Sequence, residues 1–167
     1  MSPLEPPDSF ALSAALGWIE LKNLTEAEGD LAQISPENRE HPTVLEVAWL
    51  LRAERRDWAS ALAVAGRLVE LAPEESSGWL NRAYAARRAP GGSLEAAWEL
   101  LLPAAEKFPK VSIIPFNLAC YACQMERLDE ARLWLKRACE AGKKSAIRTM
   151  ALRDEDLRPL WSEIGRM

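Results

Sequence analysis

Apolar residues in this chain recur at the three- and four-residue steps of a helix, and the stretches that carry them are cut by short polar turns. The cleanest stretch is Asn117 to Gly142, NLACYACQMERLDEARLWLKRACEAG. Two amphipathic segments, each long enough for three helical turns, flank a polar turn at Glu126 and Arg127. Asp129 is placed to cap the second segment, and Gly142 to end it.

Upstream, a first helix is expected from about Ser9 to Leu21, with Phe10, Ala14, Ala15, Trp18 and Leu21 on one face. Thr25 and Glu28 are spaced as a capping box for the next helix. That helix carries Ala27, Leu31 and Ile34 on one stripe and stops at Ser35-Pro36. His41-Pro42 opens a second pair, with helices from about Thr43 to Glu54 and from Asp57 to Pro73. A third pair spans roughly Ser77 to Arg88 and Ser93 to Lys107, with the flexible turn Pro90-Gly91-Gly92 between them. After the fourth pair come one more helix, Lys143 to about Leu152, a turn at Asp154, and a last helical piece from Pro159 to Ile164.

The pairs are in phase. Leu24, Trp58, Leu94 and Leu128 each precede by three residues Ala27, Ala61, Ala97 and Ala131, and those alanines step by 34, 36 and 34 residues. Leu31, Ala65, Leu101 and Leu135 follow, then Ile34, Leu68, Ala104 and Ala138. The longer middle step is taken up by the Pro90-Gly91-Gly92 turn. A small residue recurring opposite a bulky one lets paired helices approach closely. The expected fold is therefore all-α.

This pattern resembles the tetratricopeptide repeat, on Trp79, Leu118-Ala119, the in-phase alanines Ala61, Ala97, Ala131 and Ala138, and the closing prolines Pro73 and Pro109. The resemblance covers about residues 9 to 142 as four repeats (9–41, 42–75, 76–110 and 112–142). The first is degenerate, with Ala11 where the family has Trp. It implies a right-handed α-solenoid whose concave groove, lined by the first helix of each pair, binds a peptide or helix of another protein. Residues 1–8 are expected as a disordered tail and residues 143–167 as capping helices.

Carried onto this sequence, the groove candidates are Leu12, Leu16 and Ile19, then Glu46, Leu50 and Glu54. Asn81, Tyr84, Arg87 and Arg88 follow in the third repeat, and Phe116, Asn117, Cys120 and Gln124 in the fourth. Asn81 and Asn117 share a repeat position and suit bonding to a ligand backbone; Arg87 and Arg88 suit an acidic partner. Repeat proteins that hold acidic chaperone tails use Lys and Asn where this chain has Leu12 and Leu16, which argues against that activity.

Charge and composition narrow the partners. A net charge of −4 with no clustered basic face excludes nucleic acid as the expected ligand. Three cysteines, one histidine and a lone CxxC (Cys120, Cys123) are short of a zinc site, so buried reduced thiols are expected. Neither a leader-like N-terminus nor a run of ~18 apolar residues is present, so a soluble cytoplasmic protein, with no membrane partner, is expected. With His41 before a proline and no phosphate loop, neither an enzyme nor a cofactor or metal is expected. Of the seven tryptophans, Trp18, Trp58, Trp79 and Trp134 suit core or wedge positions, whereas Trp49 and Trp98 would be contact anchors if exposed. The functional expectation is a protein- or peptide-binding scaffold. The alternatives kept are a dedicated chaperone for an exported partner and a homodimer through the first repeat.

Overall fold

A computed structural model of the chain describes residues 3–166. All regular structure among them is helical, and it falls into two compact units that meet within the predicted Pro90-Gly91-Gly92 turn: residues 1–91 and 92–167. Gly91 there has a φ of 73°, a left-handed conformation that suits glycine.

The first unit contains α1 (Asp8–Glu20), α2 (Leu24–Gln33), α3 (Pro42–Glu54), α4 (Trp58–Leu71) and α5 (Ser76–Ala86). Consecutive helices pack in pairs, α1 on α2 and α3 on α4, and α3 also contacts α1 and α2. The second unit contains α6 (Leu94–Lys107), α7 (Ile113–Gln124), α8 (Leu128–Ala141), α9 (Lys144–Ala151) and α10 (Trp161–Ile164). A 3-10 turn, Glu155–Leu160, lies between the last two and packs on α7.

The phased positions are buried. Ala27, Ala61, Ala97 and Ala131 are all wholly buried, as are Ala65, Leu101, Ala104 and Ala138. The turns repeat as well. Lys22, Arg56 and Glu126 take left-handed φ values of 60°, 56° and 61°. In each case the next residue donates its backbone N–H to the carbonyl five residues back: Asn23 to Trp18, Asp57 to Arg52, Arg127 to Ala122. This closure satisfies a carbonyl at the helix end. The third pair, with its longer loop, lacks it.

Several local expectations change. The buried face of α1 is Leu12, Ala15 and Ile19, while Phe10 and Leu21 are 69% and 73% exposed. Leu12 and Ile19 are thus core, not groove, because α3 covers that side of α1. Trp49 and Trp98 are buried, whereas Trp18, Trp58, Trp79 and Trp134 are half-buried. Thr25 and Glu28 do not form a capping box. The helix starts two residues earlier, with Asn23 at the N-cap, and Glu28 instead accepts from Arg52 and Arg55 of α3 and its following turn. Asp129 likewise lies inside the first turn of α8 and pairs with Arg132 at 2.7 Å. Asp57 and Ser93 do cap, accepting from the backbone N–H of Ser60 and Ala96. Gly142 follows α8 in an extended conformation, and the position needs glycine because a Cβ there would stand 2.9 Å from Ser112 Cβ.

Met1 and Ser2 of the expected tail lie outside the described residues. Its last residue, Asp8, is buried at the start of α1. The carboxylate accepts from the backbone N–H and hydroxyl of Ser35 and from Asn38 Nδ2 at 2.6 Å. The Asn38 bond, then the Ser35 backbone bond, holds its pKa below the ordinary carboxylate value. A depressed folded pKa adds stability above the unfolded value near 4, and that stability disappears as pH falls through the folded pKa. Asp8→Asn should therefore melt below wild type at pH 7, with the gap narrowing as pH is lowered below about 4. Thermal melts across that range measure it. Ala131→Leu should overpack the second unit and cost about 1–3 kcal/mol in urea denaturation; an unchanged midpoint would contradict the close approach at this position.

Candidate functional site

Helices α3 and α5 and the start of α4 enclose an open cavity of about 740 Å³ in the first unit. Its aromatic wall follows from the local sequence. Trp49 and Ala53 stand one turn apart on α3, Tyr84 projects from α5, and Trp58 opens α4. The Tyr84 ring meets Trp49 edge-on at 6.1 Å between centroids and Trp58 at 5.7 Å. These are the offset and edge-to-face geometries that aromatic quadrupoles favour. The Arg88 guanidinium carbon lies 3.6 Å from the Tyr84 ring centroid and 5.5 Å from that of Trp58. Its Nη1 donates to the Tyr84 carbonyl at 3.0 Å.

Arg56 and Arg88 line the cavity, whereas Arg52 and Arg55 are paired with Glu28. Glu54 also lines it, but Lys22 Nζ neutralises that carboxylate at 2.8 Å. The Trp49 ring is only 8% exposed, and its indole N–H has no hydrogen-bond partner among the described residues. A buried donor left unmatched is costly.

Of the sequence-derived groove residues, the structure brings Leu50, Glu54, Tyr84 and Arg88 to this cavity. Leu50 and Tyr84 are 38% and 40% exposed. Leu16 is exposed on α1 but does not line it. Glu46 lies at the other end of α3, accepting from Ser77 Oγ at 2.6 Å. Asn81 and Arg87 are half-buried elsewhere on α5 and just after it. Trp49, Trp58 and Arg56 were absent from the groove set. Trp49 directly precedes Leu50, and the helical stagger of the two side chains is the signal that could have found it.

In the second unit the corresponding face is closed. Phe116 and Cys120 of α7 are buried, and Asn117 is half-buried. Gln124 Nε2 donates to the Asp156 carbonyl at 3.0 Å, and the Cys120 thiol lies 3.7 Å from Asp154 Oδ2. The segment is fixed from behind. Trp161 Nε1 donates to the Ala151 carbonyl at 2.9 Å, and Arg132 makes a two-pronged contact to Glu163 at 2.8 Å. Leu157, Leu160 and Ile164 are fully buried.

The cysteines and His41 take structural positions. Burial, with Asp154 and Asp156 nearby, pushes the Cys120 thiol far above its usual range, and burial also raises Cys123 and Cys139. The His41 ring Nδ1 accepts from the Thr43 backbone N–H at 3.3 Å, capping α3. Among the described residues there is no group of three or more side chains suited to a metal, and no helix long and apolar enough to cross a membrane. The chain matches no protein-family model, and no curated protein is detectably similar to it.

Thiolate, not thiol, attacks a disulfide reagent, so native Cys120 should resist one at pH 8 until the chain unfolds. Half-buried Cys139 should react first. Mass spectrometry of timed, alkylated samples reads the order.

Proposed function

We propose that this chain is a helical-repeat scaffold of the tetratricopeptide type, a right-handed α-solenoid, that binds a segment of another protein. The in-phase buried alanines and the three identical left-handed turns support the repeat reading. The observation that carries the binding reading is the open cavity at Leu50, Tyr84 and Arg88, where aromatic faces, a guanidinium and exposed apolar surface converge. Aromatic and arginine side chains are the residue types that anchor protein interfaces. We take its compartment to be the cytoplasm, where thiols such as Cys120 and Cys123 stay reduced.

The test is affinity capture from the native host with wild type and with Leu50→Ala, Tyr84→Ala and Arg88→Ala combined. A partner retained by wild type and lost from a variant of unchanged circular dichroism would identify ligand and face together. Equal retention by both proteins would show that the cavity is not the binding surface.

A further inference from the structure

Helices α1 and α3 stand 34 residues apart in the same phase, yet their equivalent faces end differently. Val44, Val47 and Leu51 of α3 are buried in one cluster with Ala15, Ala27 and Ile34 of the first pair. Their equivalents on α1 are Phe10, Ser13 and Gly17. There Phe10 is 69% exposed, and a Cβ built on Gly17 would meet no atom within 4 Å. Ala14 is exposed as well, and Leu21, at the helix end, is 73% exposed. By the turn of an α-helix, Phe10, Ala14, Gly17 and Leu21 share a stripe about 60° wide. The stripe bears no charge. Between Asp8, whose carboxylate is taken up by Ser35 and Asn38, and Glu20, α1 has no ionisable residue. The Ser13 hydroxyl beside the stripe already donates to the Ser9 carbonyl at 2.9 Å, so covering this face strands no donor there.

We propose that the exposed face of α1 is covered by the same face of a second copy of this chain, in an antiparallel two-fold pair of α1 helices. A two-fold contact sets residue i against j and j against i. The stripe has that symmetry: it runs large, small, small, large at spacings of four, three and four residues, and so reads alike in both directions. Reversing one helix sets Phe10 against Leu21 of the other copy, and Ala14 against its Gly17. Small residues at the centre let the two axes approach, and the bulky ones close the ends. Beside Phe10 lies an open hollow of about 370 Å³, walled by Pro7, Ala11 and Ala14, where Leu21 of the other copy fits. Its polar rim is satisfied from within, since Gln33 Nε2 donates to Asp30 Oδ1 at 3.0 Å. In charge, a neutral stripe matches its own copy, and the antiparallel arrangement sets the N-terminus of each helix dipole beside the C-terminus of the other. Growth beyond a pair by stacking on α7 and α8 is opposed, because α9 and the Glu155–Leu160 turn already pack on those helices. The pairing is independent of what the cavity at Leu50 and Tyr84 binds.

Sedimentation equilibrium of the full chain is the test. The mass should rise from one chain towards two, and no further, as concentration increases into the millimolar range. Phe10→Glu and Leu21→Lys, each of which sets a charge against an apolar side chain, should each weaken the dimer about tenfold or more. Mixed in equal amounts, the two variants should restore it. The introduced carboxylate and ammonium then face each other at one end of the pair, and Phe10 faces Leu21 at the other. Gly17→Leu has free space in the single chain and a better helix propensity, so it should melt no lower than wild type at low concentration and still lose the dimer. A wild type that stays monomeric throughout would overturn the proposal, as would a dimer untouched by Phe10→Glu and Gly17→Leu. Mixed variants that remain monomeric would overturn the antiparallel register. A dimer lost with Leu50→Ala, Tyr84→Ala and Arg88→Ala combined, but kept by Gly17→Leu, would place self-association at the cavity instead.

Discussion

The close approach of paired helices at Ala27, Ala61, Ala97 and Ala131 sets everything else in place. Each side chain has no exposed surface, so each stands where a neighbouring backbone leaves room for a single methyl group. Leu68 and Leu101, in phase with them on the same helices, are buried as well. Removing such a leucine costs about 2–5 kcal/mol, against about 0.2–1 kcal/mol for an exposed ion pair. The many pairs on the surface, Arg67 with Glu40 and Glu70 for instance, are therefore minor beside the alanine–leucine seams.

The turns convert that seam into a repeated geometry. A non-glycine residue in the left-handed region costs roughly 1–2 kcal/mol. The chain accepts this at Lys22, Arg56 and Glu126 because the reversal closes a backbone hydrogen bond across the helix end each time. Where the loop lengthens, at Pro90-Gly91-Gly92, the closure is lost and the two compact units part. Loop chemistry and unit boundary coincide there.

The first-helix faces of the two units differ in what lies against them. On α7 the chain's own acidic turn occupies the face, held by Gln124, Trp161 and the Arg132–Glu163 pair. On α3 and α5 aromatic rings and arginines line an open cavity. The same helix positions thus serve as internal packing in one unit and line an open cavity in the other.

The sequence by itself determined the helices, the pairing and the phase, because period, proline and glycine placement, and small-to-large alternation are local properties of the chain. The family resemblance also placed Leu50, Tyr84 and Arg88 among the groove candidates, together with residues such as Leu12, Ile19 and Phe116 that the fold buries. The sequence could not rank the tryptophans, since Trp49 and Trp58 both fall on helical stripes and only packing decides which is buried. Nor could it foresee that Leu12 and Ile19 face α3, that Glu28 pairs with arginines 24 and 27 residues away, or that Asp8 is anchored by Ser35 and Asn38. Those outcomes join residues distant in sequence, and only the folded chain brings them into range.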